Sequence, residues 1–518
     1  MAGRARHVLA IDLGTSALKV ALVSTRGEVV ASRQAPCRVT MLPGGGAEQD
    51  PRQWWSLIAS TSSALMSAGA AAPESVVAVS CTAQWSGTVA AAQDGEPLRP
   101  AVIWMDSRGA PQVARLVRGP LPVQGYGLLR LSRWIHTTGG APARSGKDSL
   151  AHILWLRDTE PETYRRARWF LEPKDWINLR LTGRAAASYD SITLHWVTDN
   201  RNPARIRYDP ALLRLTGLDR AQLPDLLAAT DVLGPLLPGP AREMGVPHGV
   251  PVVAGAPDVQ SAAIGSGATR DFQAHLYVGT SSWLTCHVPL KRTNVLANIA
   301  TLPSAIPGRY FLADEQETAG AALDFLAERV LSGAGGPAEL GVMAARAAPG
   351  SGGLIFTPWL YGERSPVEDR HARGGFHNLS LSTTREDMAR SVFEGVALNT
   401  RWLLGAAEQL VRRRLDPLRF IGGGARSDLW CQIFADVLGR PVEQVADPVN
   451  ANARGAAMIA AVALGDLTFA DVPQRVAVAR RYEPDEALSV LYSALFREFV
   501  GLYRRNRRAY ARLNRGMG

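Results

Sequence analysis

The sequence lacks the features that mark membrane-spanning, secreted and zinc-binding proteins. Among its 518 residues no apolar run approaches the ~20 residues that span a bilayer. Its four cysteines lie far apart, without a CxxC pair or a metal-like spacing, which favours free thiols in a reducing compartment. Val8 opens the first apolar strand and Asp12 follows almost at once, so we expect no signal peptide. These absences predict a cytoplasmic protein with no membrane partner.

Acidic residues are fewer than basic ones, and the formal net charge is +10. A positive excess raises nucleic-acid binding as a hypothesis. The arginines are scattered, however, and the only dense cluster lies at 503–515, in a segment with apolar residues at helical spacing. No zinc finger, RRM or basic patch with interleaved aromatic residues accompanies it. We therefore expect a solvated terminal helix and no nucleic-acid partner.

Two short phrases, one in each half of the chain, share a Gly-Thr-Ser break after an apolar strand. The first reads VLAIDLGTSALK and the second AHLYVGTSSW. Glycine at a strand end lets the backbone turn and removes the Cβ that would block a phosphate. The hydroxyls and freed backbone N–H groups then point at an anion. Two such loops predict duplicated domains that hold a polyphosphate from both sides, through Gly14, Thr15, Ser16, Gly279, Thr280 and Ser281.

Length and element order predict two α/β domains. A chain of 518 residues is too long for one core. Strands alternate with helices in both halves, which is typical of sheets covered by helices. A Pro/Gly-rich stretch at 231–249 precedes the boundary, so the expected domains are 1–262 and 263–518. Because no low-complexity linker separates them, we expect a hinge at a shared cleft.

Asp12 ends a buried strand just before the first Gly-Thr-Ser loop. A carboxylate there suits Mg²⁺, which prefers oxygen ligands and keeps much of its water. Capping of the local turn explains the residue equally well. Lys19 suits a phosphate as a point charge, and it suits a solvated surface position as well. The residues alone leave these interpretations open.

Asp258 stands at the carboxyl end of the strand VPVVAGA, where α/β sheets open their cleft. There it can accept a proton from an attacking hydroxyl, as phosphoryl transfer requires. A turn residue in a proline-containing loop is the alternative. The triplet Gly422–Gly424, followed by Ala425, leaves a flat backbone shelf suited to adenine or ribose, although such triplets usually mark only a loop.

A dozen phrases, in order along nearly the whole chain, resemble the FGGY family of carbohydrate kinases within the actin-like ATPase superfold. The phrases include IDLGTS, EQDPRQWW, IWMDSR, EPKDWINLRLTG, the APD strand end, VGTSSW, ETAG, GGFHNLS, VFEGVALNTRWLL and FIGGGARSDLWCQIFADVLGRPV. Any one of them is weak evidence, but the order of all of them is specific.

The resemblance implies an α/β fold of two actin-like (ribonuclease H-like) ATPase domains around an inter-domain cleft. Sugar would bind mainly to the first domain, and ATP mainly to the second. The resemblance also implies that Asp258 is the general base for the acceptor hydroxyl and that Asp12 works with Mg²⁺. The implied ATP-binding residues are Gly14, Thr15, Ser16, Lys19, Gly279, Thr280, Ser281, Gly320, Gly422, Gly423, Gly424, Ala425 and Arg426.

Among branches of the family, EQDPRQWW, LRPAVIWMDSR and EPKDWINLRLTG resemble the xylulokinases most, which implies conversion of D-xylulose to D-xylulose 5-phosphate. Three departures concern the acceptor. Trp85 and Ser86 replace a Met-His pair, and His152 replaces a lysine. Val259 replaces the asparagine after the catalytic aspartate. We expect Trp85 to face the pocket, and Gln260 is the candidate to compensate for Val259. The expected acceptor-binding residues are Gln84, Trp85, Ser86, Gly87, Trp104, Asp106, Val259 and Gln260.

Other acceptors and other protein classes stay open on the sequence. A pocket that loses polar partners for a sugar hydroxyl can lose that substrate by orders of magnitude, so ribulose, glycerol, erythritol and gluconate are alternatives. A sugar acid would call for an arginine, and Arg108 and Arg144 are the candidates. An actin-like ATPase and a sugar sensor are the non-enzyme alternatives, although the presence of both Asp12 and Asp258 argues against an inactive protein. The oligomeric state is open, with a homodimer as one option.

Overall fold

Strands and helices alternate along the chain in the computed structural model, which describes residues 5–333 and 335–515. The strands of the first half are β1 (His7–Leu13), β2 (Ala17–Ser24), β3 (Val29–Pro36), β4 (Thr40–Leu42), β5 (Gly46–Gln49), β6 (Val76–Ala83), β7 (Val89–Ala91), β8 (Ala101–Val102), β9 (Pro122–Val123), β10 (Tyr126–Gly127), β11 (Trp169–Leu171), β12 (Ala186–Ser188), β13 (Thr198–Asp199), β14 (Arg207–Tyr208), β15 (Asp225–Leu227), β16 (Val232–Pro235) and β17 (Pro251–Val253). The helices of the first half are α1 (Pro51–Ser67), α2 (Ala110–Val117), α3 (Leu128–Thr138), α4 (Ser149–Thr159), α5 (Pro161–Arg166), α6 (Pro173–Thr182), α7 (Pro210–Thr216), α8 (Pro238–Met244) and α9 (Asp258–Gly265).

The second half continues the alternation. Its strands are β18 (Ala274–Val278), β19 (Ser282–Val288), β20 (Thr293–Asn294), β21 (Ile299–Pro303), β22 (Tyr310–Gln316), β23 (Ile355–Thr357), β24 (Gly375–His377), β25 (Leu418–Ile421), β26 (Val442–Val445) and β27 (Val478–Tyr482). Its helices are α10 (Ala321–Phe325), α11 (Pro337–Ala344), α12 (Arg385–Val411), α13 (Asp428–Leu438), α14 (Ala451–Ala463), α15 (Val472–Arg475) and α16 (Ser489–Leu513). Every helix in the described residues is too short or too polar to cross a membrane.

Each half is organised around one mixed sheet. The first sheet has the strand order β16-β17-β6-β1-β2-β3, and the second has the order β20-β21-β22-β19-β18-β25-β26-β27. In the first sheet β1 pairs antiparallel with β2 and parallel with β6. In the second sheet β18 pairs antiparallel with β19 and parallel with β25. This repeated arrangement is the duplication that the two Gly-Thr-Ser phrases predict.

The two halves meet where helix α9 packs on helix α14 through a pair of glycines. A Cβ built on Gly265 would lie 1.8 Å from the carbonyl oxygen of Ala451. A Cβ on Gly455 would likewise lie 1.8 Å from the carbonyl oxygen of Ser261. The helix backbones are therefore closer than any side chain between them would allow. The domain boundary expected at residue 262 falls inside α9, and the next strand begins at residue 274.

Enlarging Gly455 to alanine is expected to lower the thermal unfolding temperature. Overpacking at a close contact typically costs about 1–3 kcal/mol, because backbone and side chains must shift to make room. Gly405 in α12 is the matched control, since a Cβ there would meet nothing within 4 Å. Gly405→Ala should leave the unfolding temperature unchanged or raise it, because alanine favours a helix by about 1 kcal/mol. Circular dichroism melts of both variants test the contact, and equal melting temperatures would contradict it.

Candidate active site

The two Gly-Thr-Ser breaks form tight hairpin turns at corresponding positions of the two sheets. The first turn joins β1 to β2, and the N–H of Gly14 donates to the carbonyl of Ala17 at 3.0 Å. The second joins β18 to β19, and the N–H of Gly279 donates to the carbonyl of Ser281 at 2.9 Å. Thr280 is exposed at the second turn, where its hydroxyl is free to meet a ligand.

Gly320 lies directly against the second of these turns. Its N–H donates to the carbonyl of Gly279 at 2.8 Å, and the N–H of Ala319 donates to the carbonyl of Thr280 at the same distance. A Cβ on Gly320 would lie 2.4 Å from the carbonyl oxygen of Gly279. The structure thus brings together two predicted ATP-binding segments that are distant in the sequence.

Thr15 is the centre of a hydrogen-bonded ring at the first turn. Its hydroxyl accepts from the indole N–H of Trp104 at 2.8 Å and donates to Oε1 of Gln84 at 3.2 Å. Gln84 Nε2 donates to Gln49 Oε1 at 2.6 Å, and Gln49 Nε2 donates to the carbonyl of Thr15 at 2.7 Å. The ring joins the first turn to two predicted acceptor residues. Sequence reasoning missed Gln49, although it stands in the phrase EQDPRQWW.

Asp12 and Asp258 lie close enough for their charges to interact. Asp12 is near the end of β1, and Asp258 is the first residue of α9. Removal from water raises the pKa of Asp258 to about 7, and the negative charge of Asp12 adds to that effect. The N–H of Val259 donates to Asp258 Oδ1 at 2.8 Å and works in the opposite direction. A carboxyl group with this pKa exchanges its proton near neutrality, as a general base must.

Asp12 meets groups from both halves of the chain. Burial raises its pKa, while the charge of Lys19 and a hydrogen bond from Asn452 lower it. Asn452 Nδ2 donates to Asp12 Oδ1 at 3.5 Å. The ammonium of Lys19 donates to the carbonyl of Val449, across the junction of the two halves. Lys19 thus interacts with Asp12 in the first half and with the backbone of the second half.

The oxygen groups around Asp12 suit Mg²⁺ that brings most of its own ligands. Among residues 5–333 and 335–515, no three or more His, Cys, Asp and Glu side chains form a metal cluster. Within the same described residues, the 3.5 Å contact from Asn452 is the hydrogen bond that the Asp12 carboxylate receives. Magnesium characteristically takes one or two carboxylates, substrate phosphates and waters, so this donor set fits the ion.

Trp85 lies in the core of the first half, contrary to the expectation that it faces the pocket. Its side chain is 9% exposed and packs in the apolar cluster that contains Trp134. The indole N–H donates to the carbonyl of Ser191 at 3.1 Å. Only its backbone N–H reaches the site, where it interacts with the carboxylate of Asp258.

The rest of the 84–87 turn is held by buried polar groups. Ser86, at φ +66°, donates its hydroxyl to the carbonyl of Lys147 at 2.6 Å. The N–H of Gly87 donates to Glu172 Oε2 at 3.0 Å. His152 is fully buried nearby, and burial lowers its pKa to about 4, so it is a neutral core residue at pH 7. These contacts fix the shape of the turn beside Asp258.

Gln260 is not available to a sugar, so it does not compensate for Val259. Its side chain is fully buried, and its Nε2 donates to the carbonyl of Pro303 at 2.9 Å. Its Oε1 accepts from the N–H of Ala305 at 2.6 Å. Val259 packs in an apolar cluster against which Trp283 also packs. The position next to Asp258 is therefore apolar, without a replacement amide.

The two arginines considered for a sugar acid are both engaged within the protein. Asp106 is 1% exposed and accepts from Arg108 Nε at 2.8 Å, so neither side chain is free. Arg108 also pairs with Glu48 at 2.5 Å. Arg144 donates to the carbonyl of Gln124 at 2.8 Å. Asp106 is thus a buried partner of Arg108, which differs from the expected direct contact with a sugar.

The glycine shelf packs on the end of β18, immediately before the second turn. Gly422 has φ +89°, and a Cβ there would lie 2.5 Å from the carbonyl oxygen of Val278. The shelf therefore needs glycine at this position. Of the remaining shelf residues, Gly423 and Arg426 are exposed, whereas Gly424 and Ala425 are buried.

Sequence reasoning missed a charged cluster between the two halves. Arg364 pairs with Glu315 and donates to Glu317 Oε1 at 3.2 Å. The side chain of Ser281 lies close enough to Glu315 to lower its pKa, which places the cluster beside the second turn. Burial lowers the pKa of Lys147, from the first half, and the charge of Glu317 raises it. The available signal was the run of charged residues in the strand YFLADEQ and the phrase ETAG.

Family models and individual relatives of this chain all belong to one family of carbohydrate kinases. The N-terminal domain of the FGGY family of carbohydrate kinases matches residues 7–265, and its C-terminal domain matches residues 274–464. The xylulose kinase of Escherichia coli K12 is 28% identical over 96% of this chain and 98% of its own length. That of Streptomyces rubiginosus is 33% identical over 92% of this chain and 90% of its own.

A solved structure has the same fold over nearly the whole chain. The xylulose kinase of Rhodospirillum rubrum superposes with a TM-score of 0.84 at 27% identity, covering 98% of this chain and all of that one. The matched segments contain both turns, Asp12, Asp258 and the glycine shelf. The chain therefore belongs to the FGGY family of carbohydrate kinases and is a kinase that phosphorylates a sugar with ATP.

Proposed function

We propose that the chain transfers the γ-phosphoryl group of ATP to the terminal hydroxyl of a ketopentose, with D-xylulose as the leading acceptor and D-xylulose 5-phosphate and ADP as products. The observation that carries the proposal is the position of Asp258 at the start of α9, close enough to Asp12 for the two charges to interact, where burial and that charge raise its pKa to about 7. The names of the relatives supply the acceptor.

Asp258 would act as the general base. The acceptor hydroxyl gives its proton to the Asp258 carboxylate as its oxygen attacks the γ-phosphorus and the bond to the ADP oxygen breaks. Burial and the charge of Asp12 raise the pKa of Asp258 to about 7, so that the carboxylate form is present near neutral pH and is able to take a proton. The backbone N–H groups of Trp85 and Val259 fix the orientation of the carboxylate.

The two turns would hold the phosphates from opposite sides. The exposed hydroxyls of Ser16 and Thr280 and the ammonium of Lys19 offer donors and one positive charge to the phosphate chain. When bound, Mg²⁺ neutralises the β- and γ-phosphate oxygens, and Asp12 is the residue that would hold it. Adenosine would lie on the exposed backbone at Gly423, beside the second turn.

The charges at the acceptor end favour a neutral acceptor over a sugar acid. Arg108 and Arg144 are bonded within the protein. Arg364 is engaged by Glu315 and Glu317, so its charge is already balanced. A carboxylate on the acceptor would meet these acidic groups and Asp258. A neutral ketose other than xylulose, or a polyol, is the second candidate, because Val259 and Ser86 alter the groups that meet a sugar hydroxyl.

We also assign the acceptor mainly to residues 1–262 and ATP mainly to residues 263–518. The ring around Thr15, with Gln84 and Trp104, supports the first assignment. The contact of Gly320 with the second turn supports the second assignment. Binding of the acceptor between the halves would exclude water and so limit ATP hydrolysis. A cytoplasmic location stays a prediction.

Replacing the base is expected to abolish sugar phosphorylation while nucleotide binding persists. In a coupled assay of ADP release with ketoses, polyols and sugar acids, Asp258→Asn should lower kcat roughly 10²–10⁴-fold on every acceptor used by the wild type. Asp94→Asn is the matched control, because Asp94 caps an exposed hairpin turn that asparagine also supports. Acceptor-independent ADP release that survives in Asp258→Asn would contradict the mechanism. Activity on a sugar acid alone would contradict the acceptor class.

The pH dependence of kcat/KM should have an acidic limb set by Asp258. Activity needs the deprotonated carboxylate, so kcat/KM should fall as pH decreases through about 7. The charge of Glu315 raises the pKa of Asp258, so Glu315→Gln should move the limb to lower pH. Glu498→Gln, at an exposed ion pair on α16, is the control and should leave the limb in place. A limb that does not move, or moves to higher pH, would rule out this charge interaction.

A further inference from the structure

Tyr277 places its phenol on the second phosphate turn. Side chains two residues apart in an extended chain share a face, and Gly279 directly follows β18, so residues 277 and 279 face the same side. A Cβ built on Gly279 would lie 2.4 Å from the Tyr277 hydroxyl oxygen and 2.8 Å from its ring. The ring also approaches the glycine shelf, 3.1 Å from the position of a Cβ on Gly422. Two glycines therefore make the space that the tyrosine occupies.

The face that carries Tyr277 is turned toward the catalytic aspartate. Tyr277 is paired with Trp283 of β19, and Trp283 is paired with Glu315 of β22. Paired residues of neighbouring strands lie on the same face of a sheet, so these three side chains form a row across it. Trp283 packs against the cluster that contains Val259, the residue after Asp258. The row therefore covers the start of α9 from the opposite half of the protein.

The environment of the hydroxyl is acidic. Burial raises the pKa of Tyr277 to about 12, and the charges of Asp258 and Asp12 add to that effect. An ordinary phenol, with a pKa of about 10, is already protonated at neutral pH. Within the part of the chain that the structure describes, the Tyr277 hydroxyl donates no hydrogen bond to a protein acceptor. It is a neutral donor beside two carboxylates and a phosphate turn.

We propose that Tyr277 is a further catalytic residue, whose hydroxyl donates a hydrogen bond to a terminal oxygen of the γ-phosphoryl group during transfer. This inference rests on the proposed function, because it needs ATP bound between the two turns. The tyrosine keeps its proton throughout, and only Asp258 accepts one. A fixed donor aimed at the transferred group stabilises the negative charge on its oxygens and needs no reorganisation as the bond to ADP breaks.

The variant Tyr277→Phe tests the role of the hydroxyl, because it removes that oxygen and keeps the ring between Gly279 and Gly422. Loss of one such donor should lower kcat roughly 10²-fold, with the KM for the acceptor unchanged. Calorimetric titration should show weaker binding of a non-hydrolysable ATP analogue and unchanged binding of ADP, because only the analogue carries the γ-phosphoryl group. Tyr208→Phe is the matched control, since the Tyr208 hydroxyl donates to the carbonyl of Pro224 within the first half.

Three results would overturn the inference. They are an unchanged kcat, an effect confined to the KM of the acceptor, and an equal loss of affinity for ADP and for the analogue, which would indicate a packing role. A wild-type protein with no acceptor-dependent ADP release would instead contradict the proposed function. In that case the comparison of the analogue with ADP still decides whether Tyr277 contacts the γ-phosphoryl group. Unfolding temperatures equal to that of the wild type will establish that the variants are folded.

Discussion

The close crossing of α9 and α14 is the contact on which the site depends. Gly265 and Gly455 let the two helix backbones touch, and each helix starts at the cleft. Asp258 is the first residue of α9, and Asn452, near the start of α14, donates to Asp12. One helix crossing therefore joins the two halves and holds Asp258, Asp12 and the second half in register. A change in the crossing angle would move all three together.

Acidic side chains near Asp258 raise the pKa of its carboxyl group, which suits a group that must accept a proton. Burial raises the pKa of Asp258 to about 7, and the negative charges of Asp12 and Glu315 add to that effect. Such an arrangement costs stability in the free protein, and it is typical of sites where a proton must be moved. Arg364 offsets part of the charge at the acceptor end. The positive charge of Lys19 offsets part of the negative charge of Asp12, at the phosphate end. The phosphate end thus has cationic and neutral donors, whereas the acceptor end has balanced charges and an apolar wall at Val259.

Much of the fold and of the phosphate end could be predicted, because they depend on short local patterns. The Gly-Thr-Ser turns and the alternation of strands and helices follow from residues adjacent in sequence. Asp258, which the sequence places at a strand end, is instead the first residue of α9, after β17 ends at Val253. Trp85 and Gln260 were misplaced because their orientation depends on partners far along the chain, the carbonyls of Ser191 and Pro303. The charged residues near 315 are visible in the sequence, but their pairing with Arg364, distant along the chain, is not. Tyr277 could have been found, since strand alternation already places it on the same face as Gly279.

A crystal structure with a non-hydrolysable ATP analogue, Mg²⁺ and the preferred acceptor would test the central claim most directly. The account predicts that the γ-phosphoryl group lies between the turns at Thr15 and Thr280. It also predicts the attacking acceptor hydroxyl within hydrogen-bond distance of Asp258, about 2.6–3.2 Å between the two oxygens. A γ-phosphoryl group bound away from either turn, or an acceptor hydroxyl that faces a group other than Asp258, would contradict it.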